Sequence, residues 1–130
     1  MMERIWVGVA GLCGAIAVAA DAAAQHLLLD DPHRLMLATT AARYGLLHAA
    51  VLIGLAALRR VTQPSGAAAL WLLLAGWCLV AGLVLFCGSL LSLAAGAPVA
   101  VARAAPLGGM LLIAGWAALF IHALCPRRAA

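Results

Sequence analysis

Along the chain, four long apolar runs alternate with short polar interruptions. The runs cover about residues 5–26, 33–58, 67–94 and 106–125. A bilayer core about 30 Å thick is crossed by a helix of about 20 predominantly apolar residues, and each run meets that length. No water reaches the hydrocarbon to pair a free N–H or C=O, so segments of this kind form helices rather than open strands. The pattern predicts one all-α domain over residues 1–130, an integral membrane four-helix bundle.

The interruptions carry their own signals. Leu29-Asp30-Asp31-Pro32-His33-Arg34 separates the first two runs. Asp31 suits an N-cap and Pro32 the first helical position, so the second helix starts here. Its first two turns are expected at the membrane surface, with Tyr44 near the boundary and residues 49–58 deeper. Arg59-Arg60-Val61-Thr62-Gln63-Pro64-Ser65-Gly66 reads as a polar connection with turn formers. Residues 96–106 form a second loop carrying Arg103, and Pro126 with Arg127 and Arg128 stops the last helix.

Composition strengthens this reading. The chain is 68% hydrophobic and 9% charged, whereas a soluble domain is about half apolar and about a quarter charged. The formal net charge is +4, and every basic residue is an arginine. The arginines are scattered and form no aromatic-interleaved basic face, which argues against a nucleic-acid partner. They report topology instead. With the N-terminus in the cytoplasm, Arg4, Arg59, Arg60, Arg127 and Arg128 lie inside, and Arg34 and Arg103 outside, with Arg43 near the outer boundary. The positive-inside rule prefers this arrangement, which puts both termini in the cytoplasm and the protein in the inner (cytoplasmic) membrane.

The first run has a charged start, an apolar stretch and small residues around Asp21, the layout of a signal peptide. Its apolar stretch is long for that role, and Leu12 stands before Cys13 where a lipoprotein signal needs a small residue. We read it as an uncleaved helix. Gly8, Gly11 and Gly14 give it a face for close packing on protein. Cys13, Cys78, Cys87 and Cys125 stand singly, without CxxC or Cys/His spacing, so neither a zinc site nor a disulfide framework is expected.

Leu85-Phe86-Cys87-Gly88-Ser89-Leu90, then Ala105-Pro106-Leu107-Gly108-Gly109 and Gly115-Trp116, make up an ordered set of short motifs. Tyr44 and His48 form a Tyr-x-x-x-His step, and His26 closes the first helix. In these features the chain resembles the YgdD-like small inner-membrane proteins, which carry a domain of unknown function. It departs from them at Asp21-Ala22-Ala23-Ala24-Gln25-His26 and at Gly45. The resemblance implies four spans and an uncleaved first helix, and no activity.

Depth along the helices brings several polar residues to the outer half of the bundle. His26, Tyr44, His48, Ser89 and Ser92 make a candidate polar or ligand site, since ionisable groups inside a membrane lean functional. Buried Ser, Tyr and His also serve as interhelical hydrogen-bond glue, which is the competing reading. Asp21 lies within the apolar zone, and Arg43 is the cation within reach, so an Asp21–Arg43 ion pair between the first two helices is expected. His26 and His48 as haem ligands are a remote third use. His33 is expected in the water-exposed loop, and His122 near the inner end of the fourth helix. No catalytic triad, nucleophile elbow or phosphate loop is visible. No cofactor or metal is expected, and the chain leans away from being an enzyme. The function expected is an accessory, interaction or lipid-binding component of the membrane, with the bilayer, a larger complex or a second copy as partner. The alternative is a small oligomeric transporter or channel subunit using the polar site.

Overall fold

The computed structural model describes residues 2–126. Arg127 and Arg128 lie outside the described residues. Helix α1 is Met2–Leu27, α2 is Pro32–Thr62, α3 is Gly66–Ala94 and α4 is Ala104–Leu124, with a 3-10 helix Val99–Arg103 leading into α4. All four α-helices belong to segments long and apolar enough to cross a membrane. This is a multi-pass, all-helical architecture.

The start of α2 follows from its sequence. Asp31 Oδ1 accepts the Arg34 N–H at 3.1 Å, and Pro32 occupies the first turn, where its missing donor is not needed. At its other end α2 continues to Thr62, through residues expected in a loop. Arginine is a good helix former, and none of Arg59 to Thr62 breaks a helix. The chain leaves the helix at Gln63, which turns left-handed at φ 42° just before Pro64. Helix α4 likewise begins before Pro106. The first four N–H groups of a helix have no intrahelical acceptor, so a proline there forfeits nothing.

Neighbouring helices run antiparallel. The main contacts are α1 on α2, α2 on α3 and α3 on α4, while α1 barely meets α3. Lipid is as apolar as leucine, so packing depends on close approach, and small residues at the seams provide it. A Cβ on Gly45 would sit 2.9 Å from the Ala17 Cβ. Gly76 leaves room for the Trp6 ring, which is fully buried. Between α3 and α4, a Cβ on Gly82 would lie 2.8 Å from the Leu112 nitrogen, and one on Gly108 would run into the Phe86 backbone. Leu52, Leu72, Leu79 and Leu83 fill the centre with Trp6.

The face of α1 that packs is not the expected one. Its buried residues are Trp6, Ala10, Ala17 and Ala24. Gly8 and Gly11 face open space, and only Gly14 approaches α2, 3.9 Å from the Ala49 Cβ. Gly88 of α3 is open as well, so it does not serve helix contact within one chain.

Polar ties close the two ends of the bundle. At one end Arg59 Nε donates to Glu3 Oε1 at 2.8 Å, joining the start of α1 to the end of α2. There too His122 Nδ1 lies 2.8 Å from the Ala68 carbonyl, joining α4 to α3. At the opposite end Arg34 Nε donates to the Ala94 carbonyl, a cation placed at the C-terminus of α3, where the helix dipole favours it.

Candidate functional site

Tyr44 and His48 share a face of α2 because they are one helical turn apart. Their rings stack with centroids 5.8 Å apart and 13° between planes. Phe86 of α3 meets Tyr44 at 5.0 Å, and Trp116 of α4 meets His48 edge-on at 6.3 Å. Three helices thus converge on one aromatic node. The extension of α2 to Thr62 puts His48 close to the middle of that helix, deeper than its expected place in the outer half.

The histidine is 2% exposed, and both of its ring nitrogens are engaged. Nδ1 lies 2.8 Å from the Tyr44 carbonyl, which can only accept, so this nitrogen carries the proton. Nε2 is then an acceptor, and the Trp116 indole N–H donates to it across 3.4 Å. A buried indole donor usually finds such a partner, although the Trp6 indole N–H meets none among the described residues. The arrangement spends both nitrogens on structure and joins α2 to α4, which share no other extensive contact. Trp116 and Phe86 were not among the residues expected at the site. No sequence signal singled out Trp116, because the Trp6 indole N–H is buried in an apolar span as well and meets no acceptor among the described residues.

The other expected site residues lie apart from this node. His26 is exposed at the end of α1. Ser89 is buried but donates to the Phe86 carbonyl at 2.9 Å. Ser92 donates to the Gly88 carbonyl at 2.7 Å. Both serines therefore bond to their own helix and not across to another. Cys87 does cross, its thiol donating to the Ala41 carbonyl at 3.3 Å. Among the described residues, no three His, Cys, Asp or Glu side chains gather closely enough to hold a metal ion.

Asp21 and Arg43 do not pair with each other. Both are exposed, and among the described residues the ion pair that forms is Glu3 with Arg59. The reason is azimuthal. Gly45 faces α1, and Arg43, two residues earlier, points roughly 200° away around the helix. Their depths nonetheless agree. Ala17 and Gly45 are opposite each other, so Asp21 and Arg43 lie on the same side of that contact, within about 3 Å of one level.

Residues 20–109 match a family described as a protein of unknown function, DUF423. The chain belongs to this family. The DUF423 match runs from the C-terminal part of α1 through α2 and α3 into the first turns of α4, and so contains Tyr44, His48, Phe86, Asp21 and Arg43. Trp116 lies beyond the matched segment of the family. No solved structure matches the chain.

Proposed function

We propose that this DUF423 member is an accessory component of the inner (cytoplasmic) membrane, with both termini in the cytoplasm, that works by self-association within the bilayer. The narrower resemblance to the YgdD-like inner-membrane proteins supports that location. The observation that carries the reading is the exposure of Asp21 and Arg43 on the outside of the bundle, each within a helix long and apolar enough to cross a membrane. By helical rise, Asp21 lies about 10 Å from the middle of α1 and Arg43 about 6 Å from the middle of α2. Both distances fall within the hydrocarbon half-thickness of about 15 Å. A charge facing lipid at such depth costs up to about 2.5–3.5 kcal/mol on insertion scales, so covering it is favourable.

A second copy is the occupant that these charges fit. Copies related by an axis along the membrane normal keep the same depth, so Asp21 of one meets Arg43 of another at one level. The outward Gly8 and Gly11, together with the open Gly54 of α2, leave small-residue surfaces for close helix approach farther along the same two helices, about 15–20 Å from the charges. The buried polar groups favour association over a conducting path, because the serines bond to their own helix and the histidine is enclosed.

The test is native mass spectrometry of the chain extracted at its natural expression level in a mild detergent. The wild type is expected as an oligomer. Asp21→Arg shifts it toward monomer, and Asp21→Arg combined with Arg43→Asp restores the oligomer. A companion of different sequence would transfer the role of partner to that protein. A lone wild-type monomer would overturn the reading.

A further inference from the structure

The end of the bundle that carries the Glu3–Arg59 pair also holds a cleft of about 490 Å³, lined by Glu3, Arg4, Arg59, Arg60, Gln63 and Pro64. It forms where the start of α1 meets the end of α2. Three arginines stand against one glutamate, an excess of two positive charges. Arg59 is central to it. Its Nε is committed to Glu3 at 2.8 Å, while its Nη1 is buried and meets no acceptor among the described residues. The Arg59 side chain is 21% exposed and its charge is paired with Glu3, but a buried N–H left without an acceptor still costs free energy, which an anion's oxygen would recover. Arg4 and Arg60 make no hydrogen bond or ion pair among the described residues, and both are exposed beside it.

Depth narrows the class of anion. Helix α1 is about 39 Å long by its rise per residue, longer than the hydrocarbon core of about 30 Å, so its ends reach the headgroup layer. Guanidinium groups match phosphate oxygens with two parallel donors, a fit that a point charge lacks. A simple complement to the negative C-terminus of α2 accounts for Arg59 and Arg60. It does not account for Arg4, contributed by α1, or for the unused Nη1.

We propose that this cleft binds a phosphate-bearing anion through Arg4, Arg59 and Arg60, with the headgroup of an anionic phospholipid as one source and free phosphate as the other. The site lies at the opposite end of the helices from Asp21 and is independent of the association reading.

The full chain is delipidated in detergent and titrated with phosphatidylglycerol, followed by native mass spectrometry and thermal unfolding. The Arg4→Gln/Arg60→Gln double variant spares Arg59 and its Glu3 pair, and so keeps the fold. Binding of phosphatidylglycerol weakens about fivefold for each arginine removed, and Arg60→Lys restores only part of it, because a point charge lacks the paired donors. Inorganic phosphate in millimolar excess distinguishes the sources. If it displaces the lipid and raises the melting temperature by itself, the ligand is free phosphate; if the lipid adduct persists, the ligand is the headgroup. Equal phosphatidylglycerol binding by wild type and double variant overturns the site. So does the absence of any shift with either probe.

Discussion

At the scale of single residues, the bundle depends on where a side chain is missing and on one crossing hydrogen bond. Gly108 and Gly88 look alike in sequence, each in an apolar helix, yet their surroundings differ. A methyl group on Gly108 meets the Phe86 backbone, which cannot yield without moving α3, whereas Gly88 faces open space. Gly108→Ala is therefore expected to lower stability by about 1–3 kcal/mol. Gly88→Ala is expected to raise it by about 0.5–1 kcal/mol, since alanine loses less backbone entropy in a helix. Thermal unfolding of both variants in one detergent checks the pair, and a shift of the same sign in both contradicts the packing described. The His48–Trp116 bond gives a second expectation. Trp116→Phe leaves the His48 Nε2 buried without its donor, at a cost of about 1–3 kcal/mol. In a double-mutant cycle with His48→Leu, the two losses should sum to more than the double variant shows.

At the scale of elements, α1 is the least embedded helix. It packs along α2 and touches α3 chiefly through Trp6 against Gly76. Ala17 sits on Gly45 at the centre of the α1–α2 seam, so Ala17→Leu should lift α1 from α2 while leaving the α3–α4 pair closed. Hydrogen exchange in detergent would then speed up in α1 alone, and uniform acceleration across all four helices would refute this. The positions of the helices were legible from sequence, because apolar runs of spanning length leave few alternatives. So was the Asp31 cap, because it is a local hydrogen bond between residues three apart. The face of each helix was less legible. In α1 nearly every position is small or apolar, so no periodic contrast marks Ala10, Ala17 and Ala24 as the buried stripe or Gly8 and Gly11 as the outward one. The candidate site suffered for the same reason. Position can be counted along a helix, and Tyr44 and His48, one turn apart, stack on one face of α2. Azimuth between different helices cannot be counted, so Ser89 and Ser92, which bond to their own backbone, were grouped with them, and Trp116 was not.

At the scale of the whole molecule, the two ends of the bundle differ in charge. One end holds Arg4, Arg59 and Arg60 with Glu3 as the single acid, and the other holds Asp30, Asp31 and His33 beside Arg34 and Arg103. Short loops flanking membrane spans tend to retain arginine on the cytoplasmic side, so the expected orientation puts the arginine end inside. The expectation is tested on a chain whose four cysteines are replaced by alanine and to which one cysteine is returned. Gln63→Cys sits at the arginine end in an exposed, left-handed position just after α2. Val99→Cys sits at the opposite end, where the native side chain is 81% exposed. A membrane-impermeant maleimide applied to intact spheroplasts should label Val99→Cys and leave Gln63→Cys unlabelled until the membrane is opened. The reverse pattern would turn the bundle over and place the arginine cleft on the outside, where the phosphate-bearing anion would have to come from the outer leaflet. Labelling of both positions in intact cells would mean mixed insertion, and the small excess of arginine at one end would then be too weak to fix the topology of this fold.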